Sequence, residues 1–247
     1  MKPILFCTLL LGLIPGTKFS TAQNIKPETI IAKSIDFYGG DKFNPSDISF
    51  VFRSKKYEIH LNGGFYEYKR IFTEDNELIE DVLKNDGFTR FVDGDESYLA
   101  KLRSGSYSSS VNSVVYFALL PYRLKDEAVI SQYLGKSSVK GKSYYKIKVT
   151  FSENSGGEDF EDVFVYWFDI VDYSLDYLAY SYLETKGPGL RFRKAYNLQT
   201  VNGLTFQDYE NYKANPLKYK VENLDGLFNE NKLELLSKIE LKQIEVK

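Results

Sequence analysis

The sequence predicts a mainly β protein with a few helices, in which a curved antiparallel sheet of about 11 to 12 strands forms an open or half-closed barrel. From residue 48 onward, apolar and polar residues alternate in short runs, which is the period of a strand. Turns containing Asn and Gly separate the runs, and 20 Tyr and 18 Phe residues favour strands. Helical segments interrupt this pattern and are expected to cover or plug the concave side of the sheet.

The first residues predict a secretory signal peptide. Lys2 supplies a positive start, residues 4–13 form an apolar run of the length that a signal peptide needs, and small residues follow it. A membrane span would need about 20 apolar residues, and Pro15 ends the run earlier. We therefore assign residues 1–22 to the signal peptide and residues 23–247 to a single β half-barrel domain.

The composition restricts the compartment and the partners. The only cysteine, Cys7, lies in the predicted signal peptide, so the rest of the chain must be stabilised by burial and sheet pairing. The net charge is −2 at pH 7, which argues against nucleic acid as a partner. With the predicted signal peptide, we expect a secreted protein with no transmembrane helix or lipid anchor in the mature chain.

The alternating runs and their turns predict the order of the elements. A first helix starts at Pro27 and ends at Gly39, because Pro suits a first turn and Gly suits a helix end. A short helix near residues 229–236 is expected before a last strand at residues 239–246. The other predicted strands are residues 48–61, 65–72, 77–83, 88–92, 97–102, 129–139, 143–152, 161–170, 176–184, 190–199 and 204–213.

The middle of the chain predicts a buried helix. Residues 111–120 (VNSVVYFALL) are apolar on every face, the preceding serines offer N-caps, and Pro121 ends the run. Such a helix must cover an apolar surface, and Val115 and Leu119 are therefore candidate ligand contacts. Residues 104–110 (SGSYSSS) indicate a mobile connection, which would suit a lid or an ordinary loop.

Four strings resemble an uncharacterised family of secreted proteins from Bacteroidetes-type bacteria: YLGKSSVKGKSYYKIKVTF, EDVFVYWFDIVDYSLDYLAYSY, GLRFRKAYN and VNGLTFQDYENYK. The layout G-K-x-Y-Y-x-I-x-V, followed by an apolar strand that ends at Asp169, is similar in pattern to the periplasmic lipoprotein carriers of the LolA/LolB type. This resemblance implies a half-barrel with a lidded hydrophobic cavity that holds acyl chains or another apolar ligand.

Arg191 and Arg193 are the leading candidates for a ligand site. Residues two apart on a strand project from one face, so the two guanidinium groups are placed to clamp a carboxylate or phosphate headgroup. Asp208, Tyr196 and Tyr209 lie on the same predicted strand pair and complete the candidate ligand-binding set.

The turn at Asn202–Gly203 predicts the register of this strand pair. A two-residue turn places Ala195 opposite Glu210 and Arg193 opposite Tyr212. Glu210 is then diagonal to Arg193, so a cross-strand ion pair is the structural alternative to a headgroup site.

Two other interpretations stay open. A hydrolase acting on an extracellular substrate would use carboxylates alone, with Asp169, Asp176 and Asp208 as the available acids. A surface interaction module would bind glycan or a partner protein through exposed tyrosines. The single histidine, His60, is expected at the surface or in a turn, and the acidic run at residues 158–162 as a solvated loop rather than a Ca²⁺ site.

We predict a secreted or periplasmic binding or carrier protein for an apolar or amphiphilic ligand, either a lipid or a lipoprotein acyl chain. The sequence predicts no catalytic residue, metal site or cofactor. The expected partners are the ligand itself and, transiently, a membrane or lipoprotein, and a monomer is expected.

Overall fold

The computed structural model describes residues 25–152, 161–184 and 187–247, which form three α-helices and fourteen strands. The predicted signal peptide and residues 158–160 of the acidic loop lie outside the described residues. The helices are α1 (Pro27–Tyr38), α2 (Lys101–Ala118) and α3 (Leu224–Asn229). The strands are β1 (Ser46–Phe52), β2 (Lys55–Asn62), β3 (Phe65–Glu74), β4 (Glu77–Lys84), β5 (Gly87–Val92), β6 (Asp95–Ser97), β7 (Val129–Val139), β8 (Lys142–Phe151), β9 (Val163–Asp169), β10 (Leu175–Glu184), β11 (Gly187–Val201), β12 (Leu204–Lys213), β13 (Glu234–Ile239) and β14 (Lys242–Val246).

The strands form two antiparallel sheets of seven. The first has the order β14-β1-β2-β3-β4-β5-β6, and the second has the order β13-β12-β11-β10-β9-β8-β7. The last two strands therefore join different sheets, β13 beside β12 and β14 beside β1. A mainly β fold with helices is confirmed, whereas the single sheet of about 11 to 12 strands expected from the turn pattern is corrected to two sheets, and the described strands close no barrel.

Two predicted strands are pairs of strands in the structure. The run at residues 48–61 is β1 followed by β2, and the chain reverses at Arg53 and Ser54, whose φ angles are 49° and 62°. No Gly or Asn marks this turn, so the alternation of apolar residues passes through it unbroken. The run at residues 239–246 covers the end of β13 and all of β14.

The first predicted helix is confirmed with its bounds, as α1 begins at Pro27 and Gly39 follows its last residue, whereas the other two helices differ from their predicted bounds. α2 begins at Lys101, ten residues before the predicted start, so the serines expected to form a loop and N-caps lie inside the helix. Serine is a weak helix former, which hid this half of the helix. The strand predicted at residues 97–102 is wrong beyond residue 97, where β6 ends, and residues 101 and 102 belong to α2. The helix predicted at residues 229–236 is also misplaced, because α3 ends at residue 229 and β13 begins at residue 234. None of the helices in the described part of the chain has the length and hydropathy needed to cross a membrane.

One apolar core lies between the two sheets, α1 and α2, and we call the sheet faces that line it the inner faces. α2 contributes Val111 and Val115, and Leu119 follows its last residue; each of the three is 0% exposed. Burying a large apolar side chain is worth about 1.5–3 kcal/mol, so these contacts hold α2 against both sheets. The inner faces include Ile48, Phe50, Tyr57, Ile59 and Tyr68 from the first sheet, and Ile147, Val149, Tyr166, Phe168 and Leu178 from the second.

The outer face of the second sheet is covered as well. Trp167 and Phe192 point to this face, are 0% exposed, and pack with Phe228 of α3. Tyr166, the neighbour of Trp167, is equally buried on the inner face. The prediction that the apolar strand VFVYWF is covered on both sides is therefore confirmed.

Candidate ligand-binding site

Arg193 is a buried cation that pairs with no carboxylate in the part of the chain that the structure describes. It lies on the inner face of β11 and is 7% exposed. Its Nη2 donates a hydrogen bond to the Tyr180 hydroxyl at 2.8 Å, and its guanidinium carbon lies 3.7 Å from the ring centre of Phe117 on α2. Its Nε has no hydrogen-bond partner among the described residues. An unpaired buried donor on a cation is costly, so folding alone does not account for this residue.

Asn211 lies directly opposite Arg193 on β12 and is also incompletely satisfied. Its Nδ2 donates to the hydroxyl of Ser237 at 3.2 Å, but its buried Oδ1 accepts no hydrogen bond from the described residues. Two residues that face each other across β11 and β12 therefore carry, respectively, a donor and an acceptor without a hydrogen bond to the described residues. A ligand that carries an anionic oxygen beside a hydrogen-bond donor would satisfy both atoms.

A β-bulge sets this pairing. The turn at Asn202–Gly203 forms as predicted, with Val201 and Leu204 paired across it. The register then shifts by one residue between Tyr196 and Gln199. Asn197, inside the bulge, has a φ of 50°, a conformation that Asn tolerates better than most residues.

The shifted register corrects the predicted ion pair. Arg193 lies opposite Asn211 rather than Tyr212, and Glu210 lies opposite Lys194. Glu210 pairs with the Lys194 amine at 3.1 Å on the face opposite Arg193. The predicted contact between Arg193 and Glu210 is therefore wrong, because one extra residue in the bulge moves every later pair by one position.

Phenol groups surround the Arg193 guanidinium. The ring centres of Tyr180 and Tyr209 lie 5.1 and 5.8 Å from its central carbon. Nearby, the hydroxyls of Tyr116 on α2 and Tyr166 on β9 are hydrogen-bonded at 2.9 Å. Burial raises the pKa of Tyr209 to about 12, so this phenol is neutral at physiological pH. The site presents one fixed positive charge among neutral groups, and its complementary ligand is an anion.

The structure divides the predicted site residues between the two faces of the second sheet. Asp208 and Tyr196 lie on the face opposite Arg193, at the junction where the chain passes from β13 to β14. Asp208 accepts hydrogen bonds from Asn197 at 2.6 Å and from the Leu241 amide at 2.9 Å. Arg191 is half-buried, 5.2 Å from the ring of Tyr182. The residues that reach the inner core are Val115, Leu119, Arg193 and Tyr209.

The first half of α2 is the weakest part of the cover over the inner faces. Residues 101–103 are exposed, with Leu102 at 85%, and no side chain caps the helix start. Residues 104–110 are mostly Ser with one Gly, which are weaker helix formers than Ala or Leu, and α2 contains no acidic residue. Local opening begins where few apolar contacts hold the chain, so any opening of α2 would start in this half.

A second group of buried charges lies on the inner face of the first sheet and was not predicted. Arg70, Asp81 and Arg90 are direct neighbours in one row across β3, β4 and β5. Asp81 is 0% exposed and accepts hydrogen bonds from Arg70 Nε at 2.8 Å and Arg90 Nε at 2.6 Å. Arg70 also donates to the Ser110 hydroxyl of α2 at 2.8 Å. In the sequence, these charged residues alternate with apolar residues along their strands, and this pattern could have placed them on one face of the sheet.

Two clefts open on the surface. A cleft of 520 Å³ between α1 and the start of β7 is lined by Ile31, Ile35, Leu124, Val129 and Ile130, among other residues. A polar groove of 420 Å³ lies on the outer face of the first sheet and includes His60, whose Nδ1 lies 2.6 Å from Asp47. His60 is a surface residue, as predicted.

The candidate catalytic carboxylates do not form an acid–base pair. Asp169 and Asp176 both contact the Lys142 amine, at 2.8 and 3.0 Å, while Asp208 lies on another pair of strands. Burial opposes ionisation of Asp169, but Lys142 and two backbone amides outweigh it and lower its pKa. A general acid needs a raised pKa, so this arrangement does not favour the hydrolase interpretation.

Comparison with solved structures identifies the fold. A LolA superfamily protein from Nitrosomonas europaea superposes with a TM-score of 0.50 at 10% identity, covering 90% of this chain and 92% of that chain. The lipoprotein LppX of Mycobacterium tuberculosis gives a TM-score of 0.26 at 14% identity, covering 64% of this chain and 90% of that chain, which is too loose to support an argument. The predicted likeness to LolA is confirmed at the level of the fold.

Comparison of the sequences identifies the family. No curated protein matches this chain. A family of unknown function, DUF6503, matches residues 3–241, which is nearly the whole length, and the chain belongs to this family.

Proposed function

We propose that this protein is a carrier for an amphiphile with an anionic headgroup, which binds between the inner faces of the two sheets beneath α2. The observation that carries the proposal is Arg193, a cation buried among phenols and a phenyl ring, with an unpaired Nε and no carboxylate partner in the described structure. The two sheets would act as an open half-barrel in a single domain.

The energetics of Arg193 support an anionic ligand. Replacing a buried charge by an apolar residue is often neutral or stabilising, so an arginine kept without an acidic partner points to a role other than stability. A carboxylate or phosphate would accept hydrogen bonds from both Nε and a terminal nitrogen in the paired geometry that arginine favours. The apolar inner faces would then hold the acyl chain.

Binding requires α2 to move, because Val111, Val115 and Leu119 fill the inner core. Opening would start at least cost in the exposed, serine-rich first half of α2, and it must then extend to the second half, which carries Val111, Val115 and Phe117. Phe117 and Arg193 would separate as the headgroup takes the place of the ring. The LolA-like fold and the predicted signal peptide support a secreted, periplasmic location for this carrier.

Mass spectrometry of bound lipid tests the proposal. The protein is purified without detergent from the periplasm of a bacterial host, extracted with organic solvent, and the extract is analysed for anionic amphiphiles. We expect such a molecule from the wild type and from Lys194→Gln, a control on the opposite face of β11, and loss of it from Arg193→Leu. A wild-type extract without any amphiphile, or equal amounts from Arg193→Leu, would contradict the proposal.

A further inference from the structure

Three cations of the first sheet converge on one aromatic ring. The ring centre of Phe72 on β3 lies 3.4 Å from the Lys55 amine and 5.7 and 6.0 Å from the guanidinium carbons of Arg70 and Arg90. Among the described residues, Asp81 is the carboxylate that forms salt bridges with this group, and it binds both arginines but not Lys55. The group therefore carries more positive than negative charge.

Lys55 is the cation of this group that forms no salt bridge within the described part of the chain. Its contact in the described structure is the face of Phe72, and the side chain is half-buried. Burial and the neighbouring Arg70 lower the pKa of Lys55, while Glu74 and Asp81 act in the opposite direction. An anion bound beside Lys55 and Arg70 would offset this repulsion.

We propose that Lys55, Arg70 and Arg90 form a second anion-binding site, on the inner face of the first sheet, for the oxygens of a phosphate group. Phosphate is favoured over a carboxylate because three converging cations match a group that carries close to two negative charges at neutral pH. The phosphate would come from the headgroup of an alkyl phosphate or from free inorganic phosphate. The inference extends the proposed function to the opposite sheet and does not require Arg193 to bind a ligand.

α2 covers the arginines of this site as it covers Arg193. The ring centre of Tyr107 lies 3.6 Å from the Arg90 guanidinium carbon, and Ser110 accepts a hydrogen bond from Arg70. α2 thus contacts cations of both sheets, through Tyr107, Ser110 and Phe117. It contains no carboxylate that could pair with these cations. Contacts of a hydroxyl or a ring with a cation are weaker than hydrogen bonds between a cation and phosphate. A phosphate would therefore displace the first half of α2, which carries Tyr107 and Ser110.

Isothermal titration calorimetry with inorganic phosphate and with dodecyl phosphate tests the site. The key variant is Lys55→Gln, because replacing either arginine would leave Asp81 with an incomplete set of partners. Lys56→Gln is the matched control: it removes the same charge one residue along β2, where Lys56 contacts Glu58. Loss of one charge-assisted bond should weaken binding by about tenfold in Lys55→Gln, with no change in Lys56→Gln and melting temperatures near that of the wild type.

The two probes distinguish the sources of the anion. Binding of inorganic phosphate supports a free-phosphate site, and binding of dodecyl phosphate alone supports a lipid headgroup. Equal affinity of Lys55→Gln and the wild type, or no binding of either probe, overturns the second site. Titrating Arg193→Leu separates the two proposals. If this variant still binds phosphate, and if that binding depends on Lys55, the second site is supported. This holds even if Arg193→Leu and the wild type retain no amphiphile.

Discussion

Replacing Arg193 by leucine should change stability little, although the residue is buried, with an exposure of 7%. The substitution removes a hydrogen bond from a charged donor, worth about 1.5–3 kcal/mol, and a cation–π contact worth about 0.5–2 kcal/mol. In return, it removes an unpaired buried donor that costs about 1–3 kcal/mol and buries an apolar side chain worth about 1.5–3 kcal/mol. The two sides nearly cancel, and the free energy of unfolding should stay within about 1 kcal/mol of the wild type.

Urea denaturation followed by the fluorescence of Trp167 measures this change, because Trp167 is the single tryptophan and is fully buried. Ligand should be removed by solvent extraction before unfolding, so that a bound amphiphile does not add to the stability of the wild type. A loss of more than about 3 kcal/mol, the size seen when a buried pair is broken, would show that Arg193 is structural and refute the reasoning.

Substitutions at three further positions test the account. Asp81→Asn should destabilise the fold by about 3–5 kcal/mol, because it leaves two buried arginines without their carboxylate; a loss under about 1 kcal/mol in urea denaturation would contradict the buried pairing. Ser106 is exposed on α2, and the variants Ser106→Ala and Ser106→Gly should differ by about 1 kcal/mol in helix stability. Amide hydrogen exchange at residues 101–110 should therefore be slower in the alanine variant than in the glycine variant. Equal exchange rates in the two variants would exclude local opening of this segment. Burial opposes ionisation of Glu210, but Tyr212 and Lys194 outweigh it and lower its pKa, so its contribution is present at neutral pH and lost as pH falls from about 4.3 through the folded pKa. Wild-type stability should therefore fall more over this range than that of Glu210→Gln, and parallel curves would contradict it.

Local sequence rules found most strands of the second sheet but not the register at the candidate site. The Asn202–Gly203 turn fixed the first pairs of β11 and β12 correctly. The bulge at Asn197 then moved Arg193 by one partner, and a bulge has no reliable sequence signal because Asn is common in turns and loops as well. A one-residue shift was enough to replace an expected ion pair by an unpaired cation.

Long-range contacts were the other missing information. Alternation predicted that Arg193 and Arg191 share a face, and it could have placed Arg70 and Arg90 on the inner face of the first sheet. It could not show that α2 covers Arg193 and Arg90 at once, because serine-rich residues concealed the first half of this helix. Tertiary packing overrode the low helix propensity there.

A crystal structure of the protein bound to dodecanoate tests the central claim most directly. The account predicts that a carboxylate oxygen lies within about 3 Å of Arg193 Nε, that the alkyl chain lies along the inner faces, and that Phe117 has moved away from the guanidinium. Dodecanoate bound instead in the 520 Å³ cleft between α1 and β7, with Phe117 still over Arg193, would contradict it.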